Sequence, residues 1–147
     1  MVNSRAEENY LKAIFKLSEK NSDNVFTNDI ALMLRTKAAS VTDMLTKLHA
    51  KKIVDYQRYK NFTLTDTGNK LALEIIRKHR LWEFFLVNKL GFQWDQVHDI
   101  AEELEHISSK ELVTKLDNYL DYPSFDPHGD PIPDKNGKLK PKLIFEL

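Results

Sequence analysis

Four side chains between residues 93 and 107 have types and spacing that suit metal chemistry: His98, Glu102, Glu105 and His106. At helical pitch they fall within an arc of about 100°. Val97, Ile100 and Leu104 occupy a different arc and give that helix its packed side. A second pair, His79 and Glu83, sits at i,i+4 in the segment before it. One such pair is ordinarily a solvated helix face. Four on one edge, with a second pair on the neighbouring helix, form a donor set for a divalent transition metal. Imidazole with carboxylate suits Mn, Fe, Co, Ni or Zn, and more carboxylates favour the harder ions. The chain has no cysteine, so thiolate ligands, disulfides and Cys nucleophiles are excluded.

A second constellation lies between residues 35 and 60, where seven Lys/Arg stand against two Asp/Glu. Arg35, Lys37, Ser40, Thr42, Asp43 and Lys47 lie on or beside one short helix, and Arg58 and Lys60 on the tip of a following hairpin. Lys51 and Lys52 flank them. Basic side chains pair with phosphates and give affinity; small polar side chains on a recognition helix reach base edges. The net charge of zero hides this division. Residues 1–65 carry 11 Lys/Arg and 7 Asp/Glu, and residues 66–147 carry 11 and 15. A basic front and an acidic back fit DNA on one side and cations on the other.

The elements that must position these groups follow from apolar periodicity. Helices are expected at 6–20, at 27–34 with Thr27 as N-cap, at 39–51, 69–89, 93–107 and 109–120. Strands at 53–57 and 62–64 flank the basic tip 58–61. Two short helices and a hairpin make a winged helix-turn-helix. Gly91 is a helix stop. All five prolines follow Asp121, so residues 123–147 read as an extended arm. His49 reads as a surface residue of the recognition helix, and His128 as a residue of local bonding in the arm.

The fold class is therefore mostly α. Residues 1–70 form the winged helix-turn-helix, 71–122 a helical domain for dimerisation and metal binding, and 123–147 the arm. The polar N-terminus is not a signal peptide, and no apolar run reaches the ~18 residues of a bilayer span. A cytoplasmic location without membrane association is expected. No nucleophile motif or phosphate-binding glycine loop is present, so enzymatic activity is not expected. The competing reading is a metal-independent DNA-binding regulator whose His/Glu cluster is structural.

The order of parts resembles the diphtheria toxin repressor and manganese transport regulator family of metal-dependent repressors, in a short form without the SH3-like domain. The likeness is carried by EENYLKAI at 7–14, the helix-turn-helix at 28–54, LTDTGNKLA at 64–72, RKHRLWEFFL at 77–86, VHDIAEELEH at 97–106 and PHGDPIP at 127–133. It implies that Glu102, Glu105 and His106 hold the principal regulatory metal, with His79, Glu83 and His98 at a neighbouring site. It implies Mn(II) or Fe(II) as co-repressor, with Co, Ni or Zn as substitutes. It also implies a homodimer on a palindromic operator in double-stranded DNA, controlling manganese or iron homeostasis genes. Glu102 stands where iron-type members have Cys, which favours a harder ion. Asn9 stands where the family places a Met or Asp ligand on the first helix, and Lys12 where the manganese type has Glu. Glu7 and Glu8 are candidates to supply the charge that Asn9 lacks.

Overall fold

The computed structural model describes residues 3–21, 24–57 and 60–141. The chain divides into two compact units, residues 1–72 and 73–147. No helix among the described residues is long and apolar enough to cross a membrane.

The first unit opens with α1 (Arg5–Asn21), α2 (Thr27–Leu34) and α3 (Ala38–Ala50). Ser4 and Glu7 close a reciprocal box at the start of α1. The Glu7 N–H donates to Ser4 Oγ (3.1 Å) and the Ser4 N–H to Glu7 Oε1 (3.0 Å). The α2 cap is one residue earlier than expected. Phe26 takes the position, and Asp29 accepts its N–H at 2.8 Å. Arg35 ends α2 with φ 53°, a left-handed turn that redirects the chain into α3. Leu11 and Ile14 of α1, Ile30 of α2, and Val41, Leu45 and Leu48 of α3 are buried in the core, as are Val25, Ile53 and Phe62.

Strands β1 (Val54–Asp55) and β2 (Thr63–Leu64) pair antiparallel and are shorter than expected. Next comes α4 (Asp66–Asn88), which starts three residues earlier than the apolar pattern suggests. Thr65 is the reason. Its hydroxyl accepts from the Gly68 N–H (3.1 Å) and donates toward the Lys52 and Ile53 carbonyls. Gly68 is required there, because a Cβ would lie 2.1 Å from the Ile53 carbonyl oxygen.

The second unit contains the rest of α4, then α5 (His98–Leu104) and α6 (Lys110–Tyr119). Gly91, at φ 76°, follows the end of α4 as a helix stop. The helix expected over 93–107 is shorter. Residues 93–97 turn back on themselves, with the Gln93 N–H on Gln96 Oε1 (3.1 Å). The segment after Asp121 also differs from the extended arm expected. Ile132 joins Leu81, Val113, Leu116 and Leu120 in a core cluster. Phe125 and Pro131 form a bridge, and the Asp126 carboxylate accepts the His128 and Asp130 N–H groups (2.9 and 2.8 Å). The prolines fit a packed turn as well as an extended chain, and Ile132 supplies the burial that decides between them.

Candidate functional site

In the second unit, α4 carries His79 and Glu83 one turn apart, both buried. Their i,i+4 spacing brings His79 Nε2 within 3.3 Å of Glu83 Oε1. From α5, the half-exposed His98 stands edge-on to His79, with ring centroids 5.0 Å apart. One ligand atom each from His79, Glu83 and His98 lies within 4.8 Å of the others. Two imidazoles and a carboxylate at that spacing fit a divalent transition metal.

The remaining predicted ligands flank this trio. Only His98 and Glu102 of the four lie inside α5; Glu105 is its C-cap and His106 falls in the turn beyond. Glu105 is fully buried and places Oε1 2.8 Å from His79 Nδ1. Glu102 Oε1 lies 3.0 Å from His98 Nε2, and these two join Asp99 in a second, more exposed trio. His106 is half-buried and belongs to no trio of this reach among the described residues. Asn9 is half-buried on α1 in the first unit.

Sequence reasoning missed two residues. Asp126 and His128 form a third trio with Glu83. His128 Nδ1 lies 3.5 Å from Glu83 Oε2 and 3.8 Å from Asp126 Oδ2. His128 Nε2 lies 2.7 Å from the Trp94 carbonyl oxygen. A carbonyl only accepts, so Nε2 carries the proton and Nδ1 is left to face the carboxylates. This is how an outer partner orients an imidazole toward a metal. Burial, then the Glu83 and Asp130 charges, raise the Asp126 pKa to about 6. Burial also disfavours the Glu83 carboxylate, but hydrogen bonding and charge from His79, with charge from His128, bring it below its ordinary value. Glu83 is thus held ionised between two imidazoles. The signal in the sequence was the i,i+2 spacing of Asp126 and His128 just before Gly129, whose N–H closes a turn on the Asp126 carbonyl (3.0 Å).

In the first unit, Ser40, Asp43 and Lys47 are exposed and fall on one stripe of α3, opposite Val41, Leu45 and Leu48. Arg35 and Lys37 are exposed before it, and Lys60 after β1. Thr42 lies off the stripe, and its hydroxyl donates to the Ala38 carbonyl (3.1 Å). Arg58 lies outside the described residues. Lys51 is not a free flank: its Nζ meets Glu7 Oε2 at 2.5 Å, and Lys47 Nζ stands 3.8 Å from Glu7 Oε1. Glu7 is buried, which opposes its ionisation, but Lys51 and the Ser4 bonds hold its pKa below the ordinary value. It is committed to the cap and to Lys51, and so is not the spare carboxylate expected to stand in for Asn9.

Residues 3–62 match the family model for the iron dependent repressor N-terminal DNA binding domain, and residues 65–134 that for its metal binding and dimerisation domain. The chain belongs to the iron-dependent repressor family. It is 33% identical, over 80% of its length and 94% of the relative, to an uncharacterized HTH-type transcriptional regulator of Methanocaldococcus jannaschii. It is 31% identical to the iron-dependent repressor IdeR of Mycobacterium tuberculosis, over 86% of this chain and 54% of that protein. A probable metal transport system membrane protein of Chlamydia trachomatis is 34% identical over 92% of this chain and 31% of its own length. The chain thus spans 31% and 54% of the length of these last two relatives. Among solved structures, a manganese-dependent transcriptional repressor in complex with manganese superposes with a TM-score of 0.84 at 41% identity, over 92% of this chain and 62% of that one. ScaR with bound Zn2+ gives 0.79 at 38%, over 91% and 62%.

Proposed function

We propose that this protein is a metal-dependent transcriptional repressor that binds double-stranded DNA as a homodimer on a palindromic operator in the cytoplasm. The observation that carries the reading is the trio of His79, Glu83 and His98, in one chain with a helix-turn-helix whose α3 presents Ser40, Asp43 and Lys47 to solvent.

The ligand field suits Mn(II) or Fe(II), with Co, Ni and Zn as substitutes, because carboxylates stand beside the imidazoles and no thiolate exists. When bound, such an ion supplies the positive charge that gathers these carboxylates and lone pairs. His79 offers Nε2 while its Nδ1–H donates to Glu105. His98 offers its ring from α5, with Glu102 beside it. Glu83 faces His79 with one oxygen, and Asp126 and His128 form a second pocket on its other oxygen. Glu102, Glu105 and His106 enter the proposed ligand set through the resemblance. Arg35, Lys37, Lys47 and Lys60, with Arg58, pair with phosphates, and Ser40, Thr42 and Asp43 bear on base choice. The regulated genes are those of manganese or iron homeostasis.

One observation favours the metal-independent alternative: His79 already meets Glu105 at 2.8 Å, and such a pair holds without an ion. Calorimetry with Mn(II) separates the two. Saturable binding that His79→Ala abolishes supports the metal site; no saturable binding supports the structural cluster.

A further inference from the structure

Among the described residues β1 and β2 make a sheet of two strands, so no further strand pairs with the far side of β1 there. The Thr65 N–H donates to the Ile53 carbonyl (3.0 Å). Residues 53 and 55 therefore face β2, while Val54 and Tyr56 face outward. The ring of His49, from the last turn of α3, fills that outward edge. Its Nδ1 lies 3.1 Å from the Val54 carbonyl oxygen and 3.3 Å from the Tyr56 backbone nitrogen. A carbonyl and an N–H two residues apart are the pair that a third, parallel strand would engage. One imidazole nitrogen takes that strand's place.

A neutral ring nitrogen holds a proton or a lone pair, so it serves one partner at a time. With the proton on Nδ1 it donates to the Val54 carbonyl. With the proton on Nε2, Nδ1 accepts the Tyr56 N–H. Both partners sit at the base of the hairpin, just before its tip. Tyr56 also packs edge-on against Phe62, which is buried and bridged to Val25. On the helix side, Leu45 and Leu48 anchor α3 in the core. His49 thus ties an anchored helix to the base of the hairpin that carries Lys60.

We propose that His49 is a positioning residue for DNA binding: its ring caps the outer edge of β1 and sets the reach of Lys60 relative to Ser40, Asp43 and Lys47. This rests on reading the first unit as the DNA-binding element. The test uses the full chain with Mn(II) and three variants. His49→Asn keeps a donor and an acceptor near the Nδ1 position. His49→Gln moves them one carbon outward, and His49→Ala removes them. Ring 15N shifts of the DNA-free wild type are expected to show Nδ1 hydrogen-bonded, displaced from its value in a free neutral imidazole; a free-imidazole Nδ1 shift overturns the contact. Binding is read by polarisation on a duplex that the wild type selects from a random-sequence pool, at several salt concentrations. His49→Ala and His49→Gln are expected to lose about tenfold in affinity and about one unit of salt slope, with His49→Asn near wild type. Equal affinity and slope in all four proteins overturns the positioning role. If the wild type selects no duplex, the DNA-binding reading falls and the role with it, while the Nδ1 shift still decides the contact.

Discussion

His79 Nδ1 lies 2.8 Å from Oε1 of Glu105, a carboxylate with no exposure to solvent. The bond leaves Nε2 as the ring's ligand atom, on the side where Glu83 and His98 gather. A carboxylate behind a metal-bound imidazole fixes its tautomer and raises its basicity. Glu105→Gln keeps the shape but removes the charge. Its Mn(II) affinity by calorimetry is expected to fall about 10- to 100-fold.

Glu83 shares its two oxygens between two histidines, with Oε1 toward His79 and Oε2 toward His128. Glu83→Gln is expected to weaken both pockets by at least about 100-fold, since a direct ligand matters more than an orienting group. His128→Ala is expected to remove one ion per chain and spare the other. Metal content after dialysis against Mn(II) checks the stoichiometry.

Asp126 connects burial to pH. Its pKa in the folded chain, raised to about 6, lies above the ordinary 3.8. The folded state therefore binds this proton more tightly than the unfolded state. The stabilisation is complete below about pH 4 and is lost as pH rises through about 6. Asp126→Asn accepts the same two N–H bonds without a charge beside Glu83. The metal-free variant is expected to gain about 1–2 kcal/mol over wild type at pH 7.5, and little at pH 4. Thermal melts across that range check it. Its Mn(II) affinity is expected to fall, because a neutral amide replaces a carboxylate.

Gly68 holds the start of α4 against the Ile53 carbonyl, 2.1 Å from where a Cβ would stand. The obstacle is backbone, which cannot swing away. Gly68→Ala is expected to cost about 3 kcal/mol or more, read as a lower denaturation midpoint.

The first unit was largely legible because its helices each bury one face at helical spacing. Val41, Leu45 and Leu48 alone set the face of α3, and with it the stripe of Ser40, Asp43 and Lys47. The end of α5 was less legible. Just before this helix, Gln93, Asp95 and Gln96 carry polar side chains that serve a turn as readily as a helix, and Gln96 closes one onto Gln93. The partners of Glu83 were hidden further. Forty-odd residues separate it from Asp126 and His128 in the chain, and no local period reports a contact at that range. Lys51 read as a phosphate contact because its count in a basic stretch cannot reveal that Glu7, buried at the start of α1, claims it.

Metal occupancy is expected to set DNA affinity, and one measurement tests that link directly. Polarisation on the selected duplex, at fixed salt, compares the protein with saturating Mn(II) and with chelator. Affinity is expected to be about 10- to 100-fold higher with Mn(II), with no such gain in Glu83→Gln. Equal affinity under both conditions contradicts it.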